Sequence, residues 1–140
     1  EPTSVDKSRG RTKLKSIGLF IFIVPIYGCF SANQLLSLNQ IIEQVNTGQA
    51  ILLDVRTREE YEKVKAKGAL HFPLHYLQNG QMPNIESKKQ IYTYCQSRMR
   101  SEKARKILID NGYTAVKHIG SIGIWQEEGG QVESTKLPRK

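Results

Sequence analysis

The spacing of apolar and polar positions alternates between helical and extended patterns from about residue 34, which predicts a mixed α/β domain. The segment LLSLNQIIEQVNTG has apolar residues three and four positions apart, as in an amphipathic helix, and Gly48 closes it. The run AILLDV is almost entirely apolar and predicts a short strand covered on both faces. The next segment, TREEYEKVKAKG, predicts a helix with Thr57 as its N-cap and Glu60 at the capping-box position.

The middle of the chain is less regular. GALHFPL predicts a short extended piece that Pro73 ends. Residues 76–89 contain an Asn-Gly pair and a further proline, which predicts a loop or a broken helix.

The clearest strand is QIYTY, because it consists mostly of β-branched and aromatic residues. Its alternation places Ile91 and Thr93 on one face and the two tyrosines on the other. SEKARKILIDNG then predicts a helix capped by Ser101 and ended by Gly112, and TAVKHIG predicts a further strand before a glycine turn and IGIWQEEGG. Strands that alternate with helices predict an α/β fold, with a mainly parallel five-stranded sheet and helices on both faces.

The N-terminal region, residues 1–32, has the pattern of an export signal. A basic run ends at Lys15, an apolar block covers residues 17–30, and small or polar residues follow it. Three outcomes stay open: cleavage just after this block, acylation of Cys29 in a sequence that resembles a bacterial lipobox, or retention as an N-terminal membrane anchor. Each of them predicts a domain in the periplasm or elsewhere in the cell envelope.

The length of 140 residues fits one domain, which we expect at residues 33–132, followed by a C-terminal tail at 133–140. The net charge is +8, but the basic residues form no regular stripe with interleaved aromatic residues, so we do not expect nucleic-acid binding. The two cysteines form no CxxC pair and the three histidines form no ligand cluster, so no metal site is expected. We expect a monomer that needs no cofactor.

The sequence around Cys95 carries the strongest chemical signal. Cys95 ends a predicted strand, and QSRMR leads directly into the next helix. Backbone N–H groups at such a turn, together with the helix dipole, would stabilise a thiolate, and Arg98 and Arg100 could bind an anion by forked hydrogen bonds. Residues 54–56, DVR, end another strand, and in parallel sheets sites form beyond such ends. The alternative is that Cys95 is a small packing residue beside two solvated arginines.

Four motifs occur in an order that resembles the rhodanese family of sulfurtransferases. They are LLDVRTREEY at 52–61, KGALHFPL at 67–74, YCQSRMRS around Cys95, and NGYTAVKHIGSIGIWQEEGG near the end of the chain. The resemblance covers residues 35–130 and implies one complete rhodanese-like domain. With the N-terminal pattern, the chain is also similar to the small periplasmic sulfurtransferases of bacteria.

The resemblance implies that Cys95 takes the outer sulfur of a small anionic donor such as thiosulfate, becomes a persulfide, and passes the sulfur to cyanide or a thiol. Arg100 would guide the donor. Asp54 would accept hydrogen bonds from loop N–H groups, and Arg56 would pair with a carboxylate such as Glu60. The residues that would surround the persulfide and the donor are Gln96, Ser97, Arg98, Met99, Arg100 and Ser101.

The sequence departs from the family pattern in the loop itself, where Arg98 stands at the position of the usual glycine. Glycine serves where φ is positive, so Arg98 implies a strained backbone, a loop of different shape or a second anion-binding group. Outside the loop, Val64-Lys65-Ala66 replaces a Gly-His-hydrophobic triplet, and Ser121 replaces a glycine.

Two other functions use the same fold by resemblance. One is a phosphatase or arsenate reductase, whose loop is Cys-x5-Arg, whereas Cys95 and Arg100 form a shorter Cys-x4-Arg loop that fits a sulfur atom better. The other is a non-catalytic rhodanese module that binds a partner protein.

Overall fold

A computed structural model describes residues 36–135 of the chain. The N-terminal segment predicted as an export signal, including Cys29, lies outside these described residues. Along the chain the elements are α1 Leu38–Asn46, β1 Ala50–Asp54, α2 Arg58–Lys63, β2 Lys65–Ala66, β3 Leu70–His71, α3 Leu74–Gln78, β4 Gln90–Cys95, α4 Met99–Asp110, β5 Val116–Ser121, α5 Ile122–Glu127 and β6 Val132–Glu133. No helix between residues 36 and 135 has both the length and the apolar character that crossing a bilayer requires.

The main sheet is parallel, in the strand order β3-β1-β4-β5. The predicted α/β architecture with a parallel sheet is therefore confirmed, but the sheet has four strands and not five. The segment after β5 does not extend the sheet, because Ser121 caps α5 by accepting a hydrogen bond from the N–H of Ile124. The remaining short strands, β2 and β6, pair antiparallel in a separate two-stranded sheet.

Helices cover both faces of the main sheet, as predicted. On one face α1 and α5 pack on the sheet through a buried cluster that includes Ile41, Leu52, Tyr92, Tyr94 and Trp125. On the other face α3 and α4 pack through a cluster that includes Leu53, Leu77, Ile91, Cys95 and Leu108. The alternation of β4 is thus confirmed, because isoleucine and the tyrosines point to opposite faces.

The sequence predicted the start of α2 correctly, but not its end and not the start of α4. Thr57 caps α2 with a complete capping box, as expected, but α2 ends at Lys63 because Val64 is already extended, at φ −157° and ψ 135°. The prediction of Ser101 as the cap of α4 is wrong. The cap is Arg98, and the hydroxyl of Ser101 instead donates to the carbonyls of Arg98 and Gly120 within the first turn.

The chain stays in contact with the domain after residue 132, where the sequence placed the start of a tail. Glu133 forms an ion pair with Lys65 at 3.2 Å. The hydroxyl of Thr135 donates to the carbonyl of Glu62 at 2.8 Å. Both contacts connect the end of the chain to the region of α2 and β2, so folded structure extends at least to Thr135.

Candidate active site

The site lies at the carboxyl edge of the parallel sheet. Cys95 is the last residue of β4, and residues 96–98 form the loop that leads into α4. Asp54, the last residue of β1, lies opposite Tyr94 in the neighbouring strand. The register therefore brings the segment DVR and the Cys95 loop together at one edge, as the two strand ends predict.

The Cys95 thiol is buried beneath this loop. The residue has 0% exposed surface and belongs to the cluster under α4, whereas residues 96–99 are exposed. Its Sγ donates to the carbonyl of Gly120 at 3.8 Å, and the cysteine is a free thiol. Because the residue has no exposed surface, a reactant can contact Sγ only after part of the surrounding wall moves.

Arg98 has a backbone conformation of the kind that favours glycine. Its φ is 78° and its ψ is −43°, and it is the only non-glycine residue at positive φ between residues 36 and 135. These angles are close to those of the classic γ-turn, which is a strained conformation for any residue that has a Cβ. The carbonyl of Arg98 is held by the hydroxyl of Ser101 at 2.7 Å and by the N–H of Glu102 at 3.1 Å. The backbone at Arg98 is therefore strained, as one of the alternatives above predicted.

Arg98→Gly is expected to stabilise the protein by about 1 kcal/mol, measured as the free energy of unfolding in urea. Removal of the Cβ relieves strain of about 1–3 kcal/mol, and the greater freedom of glycine in the unfolded chain offsets about 0.4–1 kcal/mol of this gain. Arg98→Ala is the matched control, because it removes the guanidinium but keeps the Cβ, and it should give no gain. Equal stabilisation by both variants would show that the source is the guanidinium and not the backbone.

Arg100 is fixed by Glu60. Its two terminal nitrogens donate to the two oxygens of the Glu60 carboxylate, each at 2.7 Å. One of these oxygens also accepts the N–H of Thr57 at 2.9 Å, so Glu60 links the N-terminus of α2 to the start of α4. The hydrogen bonds from Arg100 lower the pKa of Glu60 to about 2, although partial burial opposes this shift. Glu60 therefore stays ionised and Arg100 stays oriented at neutral pH.

Asp54, Arg56 and Tyr94 form a buried network beside the loop. The Arg56 side chain donates to both oxygens of Asp54, at distances that include 2.6 and 2.9 Å, and Tyr94 donates to Asp54 at 2.5 Å. Burial alone would lower the pKa of Arg56, but the hydrogen bonds and charge of Asp54 outweigh it and raise that pKa. Burial, reinforced by the charge of Asp54, raises the pKa of Tyr94. All three side chains are almost completely buried.

The expected partners are therefore only partly confirmed: Arg56 pairs with a buried carboxylate, but a different one. Arg56 pairs with Asp54 and not with Glu60, whose partner is Arg100. The Asp54 carboxylate accepts from the side chains of Arg56 and Tyr94 and from the backbone N–H of Arg56, in the loop after β1, and not from a backbone N–H of the Cys95 loop. Arg56 also connects the network to the loop, because it donates to the side-chain oxygen of Gln96 at 3.4 Å.

The other predicted loop residues divide into an exposed and a buried group. Gln96, Ser97 and Met99 are exposed, and Met99 has 79% of its surface free. Ser101 is buried. Its hydroxyl and the Cys95 thiol both donate to the carbonyl of Gly120, so Ser101 fixes the end of the loop against β5.

The two arginines line different cavities. Arg98 borders an apolar groove of about 280 Å³ together with Lys117 and His118. Arg100 borders a cavity of about 190 Å³ together with Arg56 and His75. His75 was not expected in the site from its sequence position. The feature that could have indicated it is its position four residues after β3, which ends at the same edge of the sheet as Cys95.

A family model for the rhodanese-like domain matches residues 37–128, which is most of the described chain. The chain belongs to the rhodanese-like domain family. The match begins just before α1 and ends just after α5, so it includes the parallel sheet, the Cys95 loop and the buried network.

Individual relatives of this rhodanese-like chain include sulfurtransferases. The protein YqhL of Bacillus subtilis is 29% identical over 117 residues, which cover 82% of this chain and 90% of YqhL. Thiosulfate sulfurtransferase PspE of Escherichia coli K12 is 30% identical over 71 residues, which cover 50% of this chain and 68% of PspE. The solved structure of the human single-domain sulfurtransferase TSTD1 is 26% identical with a TM-score of 0.60, and the match covers 66% of this chain and 94% of TSTD1. PspE and TSTD1 support sulfur transfer in general as the reaction class.

Proposed function

We propose that the protein is a thiosulfate-type sulfurtransferase that carries sulfur as a persulfide on Cys95. The observation that carries this proposal is the position of a free thiol at the end of β4, directly before a tight loop that opens the twelve-residue helix α4. A thiolate at that point would lie at the N-terminal end of α4, where the helix dipole and the unpaired backbone N–H groups of the first turn favour an anion. No separate base is needed, since these groups stabilise the thiolate directly.

In the first step the Cys95 thiolate attacks the outer sulfur of thiosulfate. A new bond forms between Sγ and that sulfur, and the bond between the two sulfur atoms of thiosulfate breaks. Sulfite leaves with the electron pair, and a Cys95 persulfide remains. Arg100, which Glu60 holds in a fixed orientation, would bind the anionic donor by charge-assisted hydrogen bonds.

In the second step an acceptor attacks the terminal sulfur of the persulfide. With cyanide the products are thiocyanate and the regenerated Cys95 thiolate, so the enzyme returns to its starting state. With a thiol the product is the persulfide of that thiol. Backbone N–H groups of the loop would stabilise the anionic persulfide between the two steps.

A second candidate function is a rhodanese module that binds a partner without catalysis. It is favoured by the complete burial of Cys95 and by the carboxylate that already occupies two donors of Arg100. Under this proposal the thiol is a packing residue under α4, and the exposed loop residues contact the partner.

The experiment that separates these candidates is intact-mass measurement of the full chain after incubation with thiosulfate. We expect the mass to rise by one sulfur atom, and we expect added cyanide to remove that sulfur as an equal amount of thiocyanate. A protein that gains no sulfur from thiosulfate or from a polysulfide would contradict the proposed transfer and favour the binding module.

A further inference from the structure

A small basic cavity lies beside Arg100, between the end of β1 and the start of α3. Its volume is about 190 Å³. Pockets for drug-sized ligands are usually about 300–1,000 Å³, so this cavity fits a small ion better than a large organic molecule. Its polar lining consists of Arg56, Thr57, His75, Gln78 and Arg100, and the rest of the lining is apolar.

Hydrogen bonds between strands and helices hold the walls of this cavity in place. The N–H of Leu74 donates to the carbonyl of Val55 at 3.1 Å, which ties the start of α3 to the end of β1. The N–H of Phe72 donates to the carbonyl of Asp54 at 2.9 Å, just before this turn. His75 follows directly, so its backbone is anchored although its side chain is exposed. On the opposite wall, Glu60 orients Arg100.

The lining of the cavity favours an anion. It contains two guanidinium groups and an imidazole, and the carboxylates that pair with the guanidiniums, Asp54 and Glu60, lie behind the lining and not in it. A guanidinium has five N–H donors, and the carboxylate of Glu60 takes one from each terminal nitrogen of Arg100. Three donors of Arg100 are therefore free of this ion pair.

Arg100 also connects the cavity to the thiol. It lies in the first turn of α4, directly after the Cys95 loop. Arg56, which also lines the cavity, donates to the side-chain oxygen of Gln96 in that loop at 3.4 Å. A donor anion bound next to Arg100 would therefore lie beside the loop that covers the thiol.

We propose that this cavity binds the oxyanion end of the sulfur donor, a small dianion such as thiosulfate, and that His75 and Gln78 of α3 are donor-binding residues. The imidazole and the side-chain amide would add hydrogen bonds to the sulfonate oxygens, opposite the guanidinium of Arg100. The same cavity would hold the sulfite that leaves after transfer. This assignment rests on the proposed function, because it identifies the binding site of the donor for the same Cys95.

The test measures binding without chemistry, in the full chain with Cys95→Ser. Thiosulfate and sulfite are titrated by calorimetry against this protein and against the same protein with His75→Ala or Gln78→Leu. We expect each added substitution to weaken binding of both dianions about tenfold, the loss of one charge-assisted hydrogen bond. Lys117→Ala is the matched control, because it removes a positive charge from an exposed residue of β5 that borders a different cavity. It should leave both dissociation constants within about twofold.

Unchanged binding in both α3 variants would overturn the assignment, and so would an equal loss in Lys117→Ala. Steady-state kinetics provide a second readout in the chain that retains Cys95. There, His75→Ala should raise the KM for thiosulfate and leave discharge of a preformed persulfide to cyanide unchanged. A protein that binds thiosulfate through α3 but never gains sulfur would contradict the proposed function and leave the anion site intact.

Discussion

Cys95→Ser is expected to abolish sulfur uptake from thiosulfate and to reduce thiocyanate formation by at least about 10³-fold. A serine hydroxyl cannot form a persulfide, and in the proposed mechanism every transferred sulfur passes through Sγ. The measurements are intact mass after incubation with thiosulfate and the rate of thiocyanate formation with cyanide. The fold should survive, because the smaller hydroxyl can donate to the carbonyl of Gly120, as the thiol does.

Cys29→Ser is the matched control for this prediction, because it replaces the other cysteine of the chain and should leave sulfur uptake at the wild-type level. Thermal unfolding of both variants shows whether any loss of uptake reflects loss of the fold. Retention of one sulfur in folded Cys95→Ser would place the persulfide elsewhere and contradict the proposed mechanism.

Asp54→Asn is expected to destabilise the protein by about 3–5 kcal/mol, measured as the free energy of unfolding in urea. The substitution keeps the shape of the side chain but leaves the Arg56 guanidinium, which is 1% exposed, without a counter-charge. Stabilities of single domains are about 5–15 kcal/mol, so this loss is a large part of the total. Glu62→Gln is the matched control. It breaks the exposed ion pair with Arg58 and should cost no more than about 1 kcal/mol.

The double variant Asp54→Asn/Arg56→Met tests the cause of this loss. It removes both charges, so no uncompensated buried charge remains, and it should be more stable than Asp54→Asn alone. If the double variant is less stable than the single one, the hydrogen bonds of Arg56, including the one to the carbonyl of Val64 at 2.7 Å, matter more than its charge.

Much of the fold follows from local patterns in the sequence. The alternation of β4 correctly separates Ile91 from Tyr92 and Tyr94, because side chains on a strand point to opposite faces whatever packs on them. Thr57 and Glu60 form the predicted capping box, since both groups lie within one turn of the same helix. The position of Cys95 at a strand end followed from the same local reasoning.

The partners of the charged site residues did not follow from the sequence. Glu60 is close to Arg56 along the chain but pairs with Arg100, 40 residues away, because α2 lies against the start of α4. β2 pairs with β6 across more than 60 residues, in a separate two-stranded sheet that the sequence did not predict. Such pairings depend on how distant elements pack, and neighbouring residues contain no signal for them.

By itself, then, the sequence determined the order of the elements, the faces of β4 and the position of the Cys95 loop, because each depends on interactions within a few residues. Only the tertiary structure decided three other features: the burial of the thiol, the separation of Arg98 and Arg100 into different cavities, and the place of His75 beside Arg100. Each of these depends on which elements pack together at the carboxyl edge of the sheet. For Arg98 both sources were needed. The sequence shows that an arginine stands where the family has glycine, and only the structure shows that its backbone is strained.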